Sequence, residues 1–440
     1  MKCINICLVI VSLLLLQTPA SQSRMPNKGL YQKLAAEMET TLHKDVLDVW
    51  FPRSVDKENG GFYSNFTRDW QRTTSEGKFS VFQGRMVWVA SEIVIRRPEL
   101  RATYQPIVDH GLKYLTDVLW DKEDGGFFWG LDEKNKISSR YTDGKHLYGI
   151  SFGMYGATAA YQATKDQGAL ELAQKTFRWI DRHAHDEKNG GYFEWLTRDG
   201  KVIKGKGGST LEETPVAGFP VGYKSMNTHI HLLESFTQLY EVWPDNTLKQ
   251  RLGELLTVVR DRICVEPGAM NLYFTPEWRA IPDHDSYGHD VETAYLILEA
   301  QSVLGNVDNK TERMARLLVD HALAYGWDET NGGFYRDGTT FGSAEDKRKE
   351  WWVQFEGLNA LLLMHQKYGH ETGVYFNAFQ KQWQFIKEHQ VDKELGGIFD
   401  TIESDGVVKD YTKSRIWKEC YHETRALLNT IARLEELQRK

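Results

Sequence analysis

Cysteine is scarce in this sequence. Four cysteines occur in 440 residues, and two of them, Cys3 and Cys7, lie in an apolar N-terminal segment. Only Cys264 and Cys420 remain in the rest of the chain, so at most one disulfide bridge can form there. A small domain held together by disulfides is therefore excluded, and the fold must rest on a hydrophobic core.

Long apolar runs are equally rare. The one pronounced run, Ile4 to Leu16, follows Lys2 and precedes the small residues of Thr18-Pro19-Ala20. It is shorter than the roughly 20 residues that cross a bilayer. A positive residue, an apolar run and small residues in this order are typical of a secretory signal peptide. We expect residues 1–23 to be a signal peptide and residues 24–440 to be secreted, to the periplasm or the extracellular space, without a stable membrane anchor.

An excess of positive charge is also absent. The 54 lysines and arginines face 61 acidic residues, which gives a net charge of −7. Nucleic-acid binding needs a concentrated basic surface, so no such partner is expected. Aromatic residues, in contrast, make up 12% of the chain and include 14 tryptophans. A large core would account for most of them, and a carbohydrate site with rings stacked on sugar faces is the alternative.

One motif recurs along the chain. It reads Asn-Gly-Gly-Phe or a close variant at 59–62, 124–127, 189–192, 331–334 and 395–398. The first glycines of successive copies are 65, 65, 142 and 64 residues apart. The long interval has room for a degenerate copy, which we place near Pro267-Gly268-Ala269. A fixed period of this kind indicates a repeated supersecondary unit.

Each period has room for two helices and a short hairpin. An aromatic stretch and a second turn follow each Gly-Gly pair, which predicts a small β-hairpin. Helical spacing fills the rest, as in Leu170, Ala173, Phe177 and Ile180. Six helical hairpins could stack as an open solenoid or close into a ring. Because polar capping repeats are absent, we predict one all-α domain, an (α/α)6 barrel with β-hairpin loops at one mouth.

Three segments place histidine beside a charged residue on one helical face. His231 and Glu234 are three residues apart, as are His289 and Glu292, and the segment 422–425 has the same spacing between histidine and arginine. A single buried histidine is usually a structural residue. Three at matching phases of a repeat, however, would converge on the axis of a closed barrel.

A catalytic metal is not expected. His229 and His231 are two residues apart and would diverge on a helix, and the chain has no His-Glu-x-x-His motif.

Taken in order, the segments resemble a known family. They are Gln83-Gly84-Arg85-Met86-Val87-Trp88, Lys145-His146-Leu147-Tyr148, Asn227-x-x-x-His231, Gly288-His289-Asp290-Val291-Glu292, Trp351-Trp352-Val353-Gln354-Phe355-Glu356 and Trp417-x-x-x-Tyr421-His422. This series resembles the N-acylglucosamine 2-epimerase superfamily and is most similar to its cellobiose and mannobiose 2-epimerase branch. The resemblance covers essentially all of the mature chain. It implies an isomerase with an (α/α)6 barrel, in agreement with the repeat, and no cofactor.

The resemblance also implies which residues transfer protons. To epimerise C2 of an open-chain aldose, the proton next to the aldehyde must leave and another must arrive on the opposite face. Two histidines poised near neutral pH suit this task. By family position they are His289 and His422, one neutral as the base and the other charged as the acid. Glu292 would orient His289, and Glu356 would orient a histidine ring or bind a sugar hydroxyl.

The remaining implied roles concern charge and binding. Arg85 would stabilise the negative oxygen of the cis-enediolate intermediate, although a plain salt bridge is the alternative for this residue. His231 would assist ring opening or contact the oxygens near C1. The candidate substrate-binding residues are Trp352, Trp417, Tyr148, Tyr295 and Asn227; for the two tryptophans, core packing is the alternative.

Several positions depart from the disaccharide epimerases. Tyr295 stands where tryptophan is usual, Glu419 and Cys420 replace a small residue and proline, and Glu423 replaces asparagine. The reaction is therefore better specified than the substrate, for which we expect a β-linked disaccharide of the cellobiose or mannobiose type.

Four other functions remain open. An aldose–ketose isomerase or an N-acylglucosamine 2-epimerase would use the same residues. An (α/α)6 glycoside hydrolase would need two carboxylates, for which Glu292 and Glu356 are candidates, but would leave the histidines unexplained. A carbohydrate-binding protein without activity would predict loss of the histidines and arginine, and all are present. The oligomeric state is left open.

Overall fold

The computed structural model describes residues 26–204 and 221–440, and its regular structure is mostly helical. The predicted signal peptide, residues 1–23, lies outside the described residues. The helices are α1 Lys28–Thr41, α2 Asp48–Ser54, α3 Ser80–Arg96, α4 Arg101–Tyr114, α5 Leu147–Thr164, α6 Gln167–Ala184, α7 Met226–Val242, α8 Asn246–Val258, α9 Tyr287–Leu304, α10 Asn309–Tyr325, α11 Trp351–Tyr368, α12 Val374–Phe385 and α13 Tyr421–Arg439.

The strands are short and lie between the helices. They are β1 Lys78–Phe79, β2 Gly130–Leu131, β3 Lys145–His146, β4 Trp195–Leu196, β5 Lys224–Ser225, β6 Cys264–Val265, β7 Ala269–Met270, β8 Tyr273–Phe274, β9 Ala280–Ile281, β10 Asp285–Ser286, β11 Asp337–Gly338, β12 Ala344–Asp346, β13 Lys349–Glu350, β14 Thr401–Ile402 and β15 Val408–Asp410. All pairings are antiparallel, and the strand before an inner helix pairs with a strand of the following repeat, as β1 with β2 and β3 with β4.

Buried and amphipathic helices alternate along the chain. In α3 every residue from Ser80 to Val94 is buried. In α6 the buried residues include Ala169, Ala173 and Ile180, which form one stripe. Helices of the first kind (α3, α5, α7, α9, α11 and α13) form an inner ring, because only an inner position surrounds a helix on all sides. The amphipathic helices form the outer ring.

The inner ring is closed. Each inner helix contacts the next, and α13 contacts α3. The outer helix α1 packs against α13, so the two ends of the described chain meet. Where α3 approaches α5, a Cβ atom at Gly84 would lie 2.3 Å from the carbonyl oxygen of Phe152, so this contact requires glycine. The predicted (α/α)6 barrel is therefore confirmed.

The Gly-Gly motif forms the loops at one mouth of the barrel. In the first copy Val55 bridges to Phe62, and Gly60 and Gly61 have φ values of 83° and 68°, which L-residues rarely adopt. Equivalent bridges occur in the other four full copies. The degenerate copy also exists, because β6 pairs with β7 around Pro267 and Gly268.

A buried lysine forms an ion pair in each of the five full copies of the motif. The sequence did not predict these pairs. The lysine ammonium lies within 3.0 Å of the aspartate that follows the outer helix. The pairs are Lys78–Asp56, Lys145–Asp121, Lys224–Asp186, Lys349–Asp328 and Lys413–Asp392. In four of them the ammonium also donates to the carbonyl of the first loop glycine. The loops are thus held by buried ion pairs rather than by disulfides.

The cysteines form no bridge in the part of the chain that the structure describes. Cys264 and Cys420 are both buried, and both are free thiols. None of the described helices is long and apolar enough to cross a membrane.

Candidate active site

A cavity of about 300 Å³ opens at the barrel mouth, where the inner helices begin. It is lined by Arg85, Tyr148, Asn227, His231, His289, Glu292, Arg336, Glu350, Trp351, Trp352, Arg415, Trp417 and His422. The first two turns of all six inner helices contribute to it, which is why the motifs recur at similar positions of the repeat. A larger cavity of about 750 Å³ near Tyr223 has no histidine among its described lining residues. Chemistry, not size, therefore identifies the candidate site.

His289 and His422 both lie close to the ring of Trp352. The ring centroids of His289 and Trp352 are 4.7 Å apart, and those of His422 and Trp352 are 5.8 Å apart. Nδ1 of His422 lies 2.7 Å from Oε1 of Glu356. Nδ1 of His289 lies 2.8 Å from the hydroxyl of Ser286, so Ser286, and not Glu292 as expected, orients this ring. Among the described residues, neither Nε2 atom has a hydrogen bond.

His231 lies across the cavity in a fixed orientation. Its Nδ1 is 2.9 Å from Oε2 of Glu234, the residue one turn further along α7. Its ring packs against Phe152 and Tyr148, with centroid distances of 4.9 and 5.1 Å. His231 therefore has a carboxylate on one ring nitrogen and the cavity on its other side.

One arginine joins the acidic residues beneath the histidines. Arg425 donates to Glu234, Glu292 and Glu356, which come from three different inner helices. Its distance to Oε1 of Glu356 is 2.6 Å. The sequence placed this arginine on the face of His422 but did not indicate that it binds three carboxylates. Arg425 is thus the centre of a buried network that fixes the partners of His422 and His231.

Burial and neighbouring charges together set the pKa values of the acidic residues in this network. Burial disfavours the charged form of Glu234, but Arg425 and His231 outweigh it and lower the pKa to about 2. At Glu356 burial prevails over Arg425 and raises the pKa. Of the two acidic residues, Glu356 is therefore the one better able to hold a proton near neutral pH.

Both His289 and His422 favour the neutral form. The His289 ring is partly open to the cavity, yet the surrounding protein desolvates it and lowers its pKa to about 3. Burial, and then the charge of Arg85, lower the pKa of His422 well below its usual value. These shifts oppose the prediction that one of the two histidines is charged.

Arg85 faces the cavity and also forms an ion pair. One of its terminal nitrogens lies 3.0 Å from Oε1 of Glu419, and the other lies 3.1 Å from the hydroxyl of Tyr148. Glu419 is fully buried and stands at one of the positions where the sequence departs from the family pattern. The cavity and the salt bridge, which we weighed as alternatives for Arg85, thus occur together.

The rim of the cavity carries three charged residues that sequence reasoning missed. Arg336 donates to Glu350 at 2.9 Å, and the second Glu350 oxygen accepts from the indole nitrogen of Trp352 at 2.8 Å. Arg415 pairs with Asp400 at 2.8 Å. These residues lie in hairpins, and isolated charged residues in turns give no signal in a sequence.

Two predicted residues lie elsewhere. Tyr295 lines a separate cavity together with Trp88 and Glu299, so its assignment to this site is wrong. It follows Glu292 by three residues, which moves it about 4.5 Å along the helix and away from the mouth. Glu356 lies beneath the cavity floor, where it contacts His422 rather than the open space.

A comparison with known proteins agrees with this geometry. The model of the N-acylglucosamine 2-epimerase (GlcNAc 2-epimerase) family matches residues 61–426. This chain belongs to that family. As a member of the N-acylglucosamine 2-epimerase family it is an isomerase, a carbohydrate epimerase.

Similar members of the epimerase family include proteins of named activity. A cellobiose 2-epimerase of Bacteroides fragilis is 30% identical over 90% of this chain and 98% of its own. The solved structure of a cellobiose 2-epimerase from Bacillus thermoamylovorans has a TM-score of 0.81 at 27% identity, covering 91% of this chain and all of that one. A D-mannose isomerase of Marinomonas mediterranea is 22% identical over 88% of this chain and 94% of its own.

Some glycoside hydrolases share only the fold with this epimerase. An α-mannanase of Bacteroides thetaiotaomicron matches with a TM-score of 0.61 at 12% identity, over 94% of this chain and all of that one. An (α/α)6 barrel therefore does not by itself distinguish hydrolysis from epimerisation.

Proposed function

We propose that this epimerase inverts C2 of the reducing-end residue of a β-linked disaccharide of the cellobiose or mannobiose type. The observation that carries the proposal is that His289 and His422 line one cavity beside Trp352, each held through Nδ1, with no hydrogen bond to Nε2 among the described residues. The similar cellobiose 2-epimerases support the substrate class. The reaction is redox-neutral and needs no cofactor.

The first half of the reaction removes a proton. Nε2 of neutral His289 takes the proton from C2 of the open-chain sugar, and the electron pair of the C–H bond forms the C1–C2 double bond of the cis-enediolate. The negative charge moves to the former aldehyde oxygen. Arg85 stabilises that oxygen, because a fixed cation in a site that excludes water acts most strongly on developing charge.

The second half returns a proton on the opposite face. Nε2 of His422 donates to C2 while its Nδ1 receives a proton from Glu356, so the ring does not become an anion. The 2.7 Å contact and the raised pKa of Glu356 support this role as a proton store. In the reverse reaction His422 is the base and His289 the acid. Exchange with solvent restores the starting protonation.

Aromatic rings and the charged rim would bind the sugar. Trp352 lies close to both histidines and lines the cavity, where its face can stack on the reacting residue. Trp417 packs against Tyr148 at a centroid distance of 6.1 Å and borders the same space. Arg336, Glu350 and Arg415 lie further out and offer hydrogen bonds to the second sugar. Asn227 and His231 are placed to bind the oxygens near C1.

Secretion is part of the same proposal. The charge and apolar pattern of residues 1–23 supports a cleaved signal peptide, which would place the mature domain 24–440 outside the cytoplasm. N-terminal sequencing of the protein exported by its native host tests this, and an intact Met1 on exported protein would contradict it.

A substrate panel in D2O tests the proposed reaction. Cellobiose, mannobiose, mannose and N-acetylmannosamine are each incubated with the purified enzyme and followed by NMR. Deuterium at C2 together with a new 2-epimer of a disaccharide is expected. A ketose as the main product would favour the aldose–ketose isomerase, as in the similar D-mannose isomerases. Release of monosaccharide would favour the hydrolase, and no change in any sugar would contradict an enzyme for these substrates.

A further inference from the structure

A second buried cluster lies behind the histidine pocket. Asp285, Asp290 and His321 come from β10, α9 and α10, and their side chains are 0%, 0% and 0% exposed. One ligand-type atom from each lies within 4.8 Å of the other two. None of the three lines the active-site cavity.

The polar atoms that face one another in this cluster are unsatisfied. Oδ2 of Asp285, both carboxylate oxygens of Asp290 and Nδ1 of His321 have no hydrogen-bond partner outside the cluster among the described residues, although the two carboxyl groups lie close enough to share a proton. The other nitrogen of His321, Nε2, lies 3.0 Å from the carbonyl oxygen of Thr340. A carbonyl can only accept, so Nε2 carries the proton. Nδ1 is therefore the ring nitrogen that faces the two carboxylates.

Comparison with the other repeats indicates what is missing. Strands β1, β3, β5 and β13 each begin with the lysine that neutralises a buried aspartate of the loop. The corresponding strand of the degenerate repeat, β10, begins with Asp285. The aspartate of the ion pair is also missing from this repeat. Val265, the second residue of β6, occupies its position. This repeat therefore has Val265 and Asp285 at the two positions of the ion pair, and a second buried carboxylate, Asp290, follows in α9.

The distances suit a metal ion better than hydrogen bonds. Nδ1 of His321 lies 3.6 Å from Oδ2 of Asp285 and 3.7 Å from Oδ2 of Asp290. Both separations exceed the roughly 3.2 Å limit of an ordinary N–H···O hydrogen bond. In a tetrahedral zinc site with bonds of about 2.0–2.1 Å, neighbouring ligand atoms are about 3.4 Å apart. Donation of the second ring proton to a backbone carbonyl is also usual for a metal-binding histidine.

The ligand atoms of the cluster indicate which metal ions it would prefer. An imidazole nitrogen with two carboxylates favours zinc or another divalent transition ion over calcium and magnesium, which prefer oxygen ligands alone. The second cluster of this kind, Glu292, Glu356 and His422, differs because the guanidinium of Arg425 already neutralises it.

We propose that Asp285, Asp290 and His321 bind one divalent transition-metal ion of the zinc type, as a structural site. Asp285 and Asp290 flank Ser286 and His289 in the sequence, so the ion would fix the first turn of α9. That turn holds the Ser286 hydroxyl against Nδ1 of His289. The ion contacts no cavity-lining residue and is not a catalytic metal.

Metal binding by the intact protein tests the proposal. Full-length protein is stripped with a chelator, dialysed against Zn²⁺ and measured by inductively coupled plasma mass spectrometry. One zinc per chain and a higher Tm than the stripped protein are expected. Co²⁺ should bind with the same stoichiometry of one ion per chain. Stripped protein that is folded by circular dichroism yet binds neither ion would overturn the proposal and leave the two aspartates sharing a proton.

Variants locate the ion. Asp290→Asn and His321→Gln should each weaken zinc binding by more than the roughly 10- to 100-fold typical for loss of a ligand's hydrogen-bond partner. His110→Gln is the matched control, because His110 also lies on an outer helix with Nε2 2.9 Å from a loop carbonyl, that of Gly61. It should bind zinc as the unmodified protein does. Unchanged zinc binding in both ligand variants would overturn the proposal.

X-ray absorption of the zinc-loaded unmodified protein keeps the test independent of variant folding. Nitrogen and oxygen ligands at about 2.0 Å, with the scattering of one imidazole, are expected. Sulfur ligation, or two or more imidazoles, would contradict the assigned ligands.

Discussion

Replacing Glu356 by glutamine removes the proposed proton store while keeping the size of the side chain. Glu356 lies 2.7 Å from Nδ1 of His422 and is fully buried. Glutamine can still hydrogen-bond to the ring, but it cannot deliver a proton as His422 donates to C2. We therefore expect Glu356→Gln to impair the step that uses His422 and to leave the step that uses His289 in place.

The size of the effect follows from the role. A positioned acid or base contributes about 10²- to 10⁴-fold, so epimerisation should slow by that factor. The fold should tolerate the change. Because the stored proton makes Glu356 neutral, glutamine removes no charge; Arg425 keeps its charged partners Glu234 and Glu292, and the change should cost no more than about 0.5–1.5 kcal/mol, as for a neutral hydrogen bond.

Deuterium exchange separates the two steps. For the epimer whose C2 proton faces His289, removal and return of the proton by His289 continue, so deuterium from D2O enters C2 without inversion. For the other epimer His422 must act as the base, and both exchange and inversion should fall. NMR of each pure epimer with the variant measures both rates.

A neighbouring carboxyl provides the control. Glu423 follows His422 directly, is fully buried and lies outside the cavity lining, so Glu423→Gln should change neither the ratio of exchange to inversion nor its dependence on the epimer. Equal losses of exchange and inversion from both epimers in Glu356→Gln, at an unchanged Tm, would refute the reasoning.

Three further predictions concern pH and stability. His289 must be neutral to act as base, and desolvation lowers its pKa to about 3. On the acid side, activity should therefore be lost only as the pH falls through that lowered value. A loss of kcat/KM at the ordinary histidine pKa of about 6.5 would contradict this. Lys78→Met leaves Asp56 without its buried ammonium and should cost about 3–5 kcal/mol of unfolding free energy in urea; a loss below about 1 kcal/mol would argue against the ion-pair account. Gly84→Ala pushes a Cβ to 2.3 Å from the Phe152 carbonyl and should lower stability by about 1–3 kcal/mol, so an unchanged Tm would contradict the close helix contact.

The barrel could be predicted because its signals are local and repeated. The Gly-Gly turn of 59–62 requires positive φ values, and helical spacing on either side of each copy gave the hairpins. Even the degenerate copy near Pro267 followed from the period alone. The lysine–aspartate pairs could not be predicted in this way. A loop and a hairpin separate Asp56 from Lys78 in the sequence. Among 115 charged residues, the spacing of one such pair is not distinctive.

The sequence predicted the positions of the site residues to within about one helical turn. Matching phases placed His231, His289 and His422 at the barrel mouth, where the structure has them. Tyr295 was predicted to line the active-site cavity, but it lies about one turn further along α9 and lines another cavity. Arg425 was missed in its role because its three acidic partners come from separate repeats and meet only when the ring closes.

The central claim is that two histidines exchange the C2 proton from opposite faces. Its most direct test is the rate of C2 deuteration of each pure epimer in D2O by His289→Ala and His422→Ala. Each variant should lose exchange from one epimer by at least about 10²-fold, with the affected epimer opposite in the two variants, and neither should epimerise. Rapid exchange from both epimers in either folded variant would contradict the account.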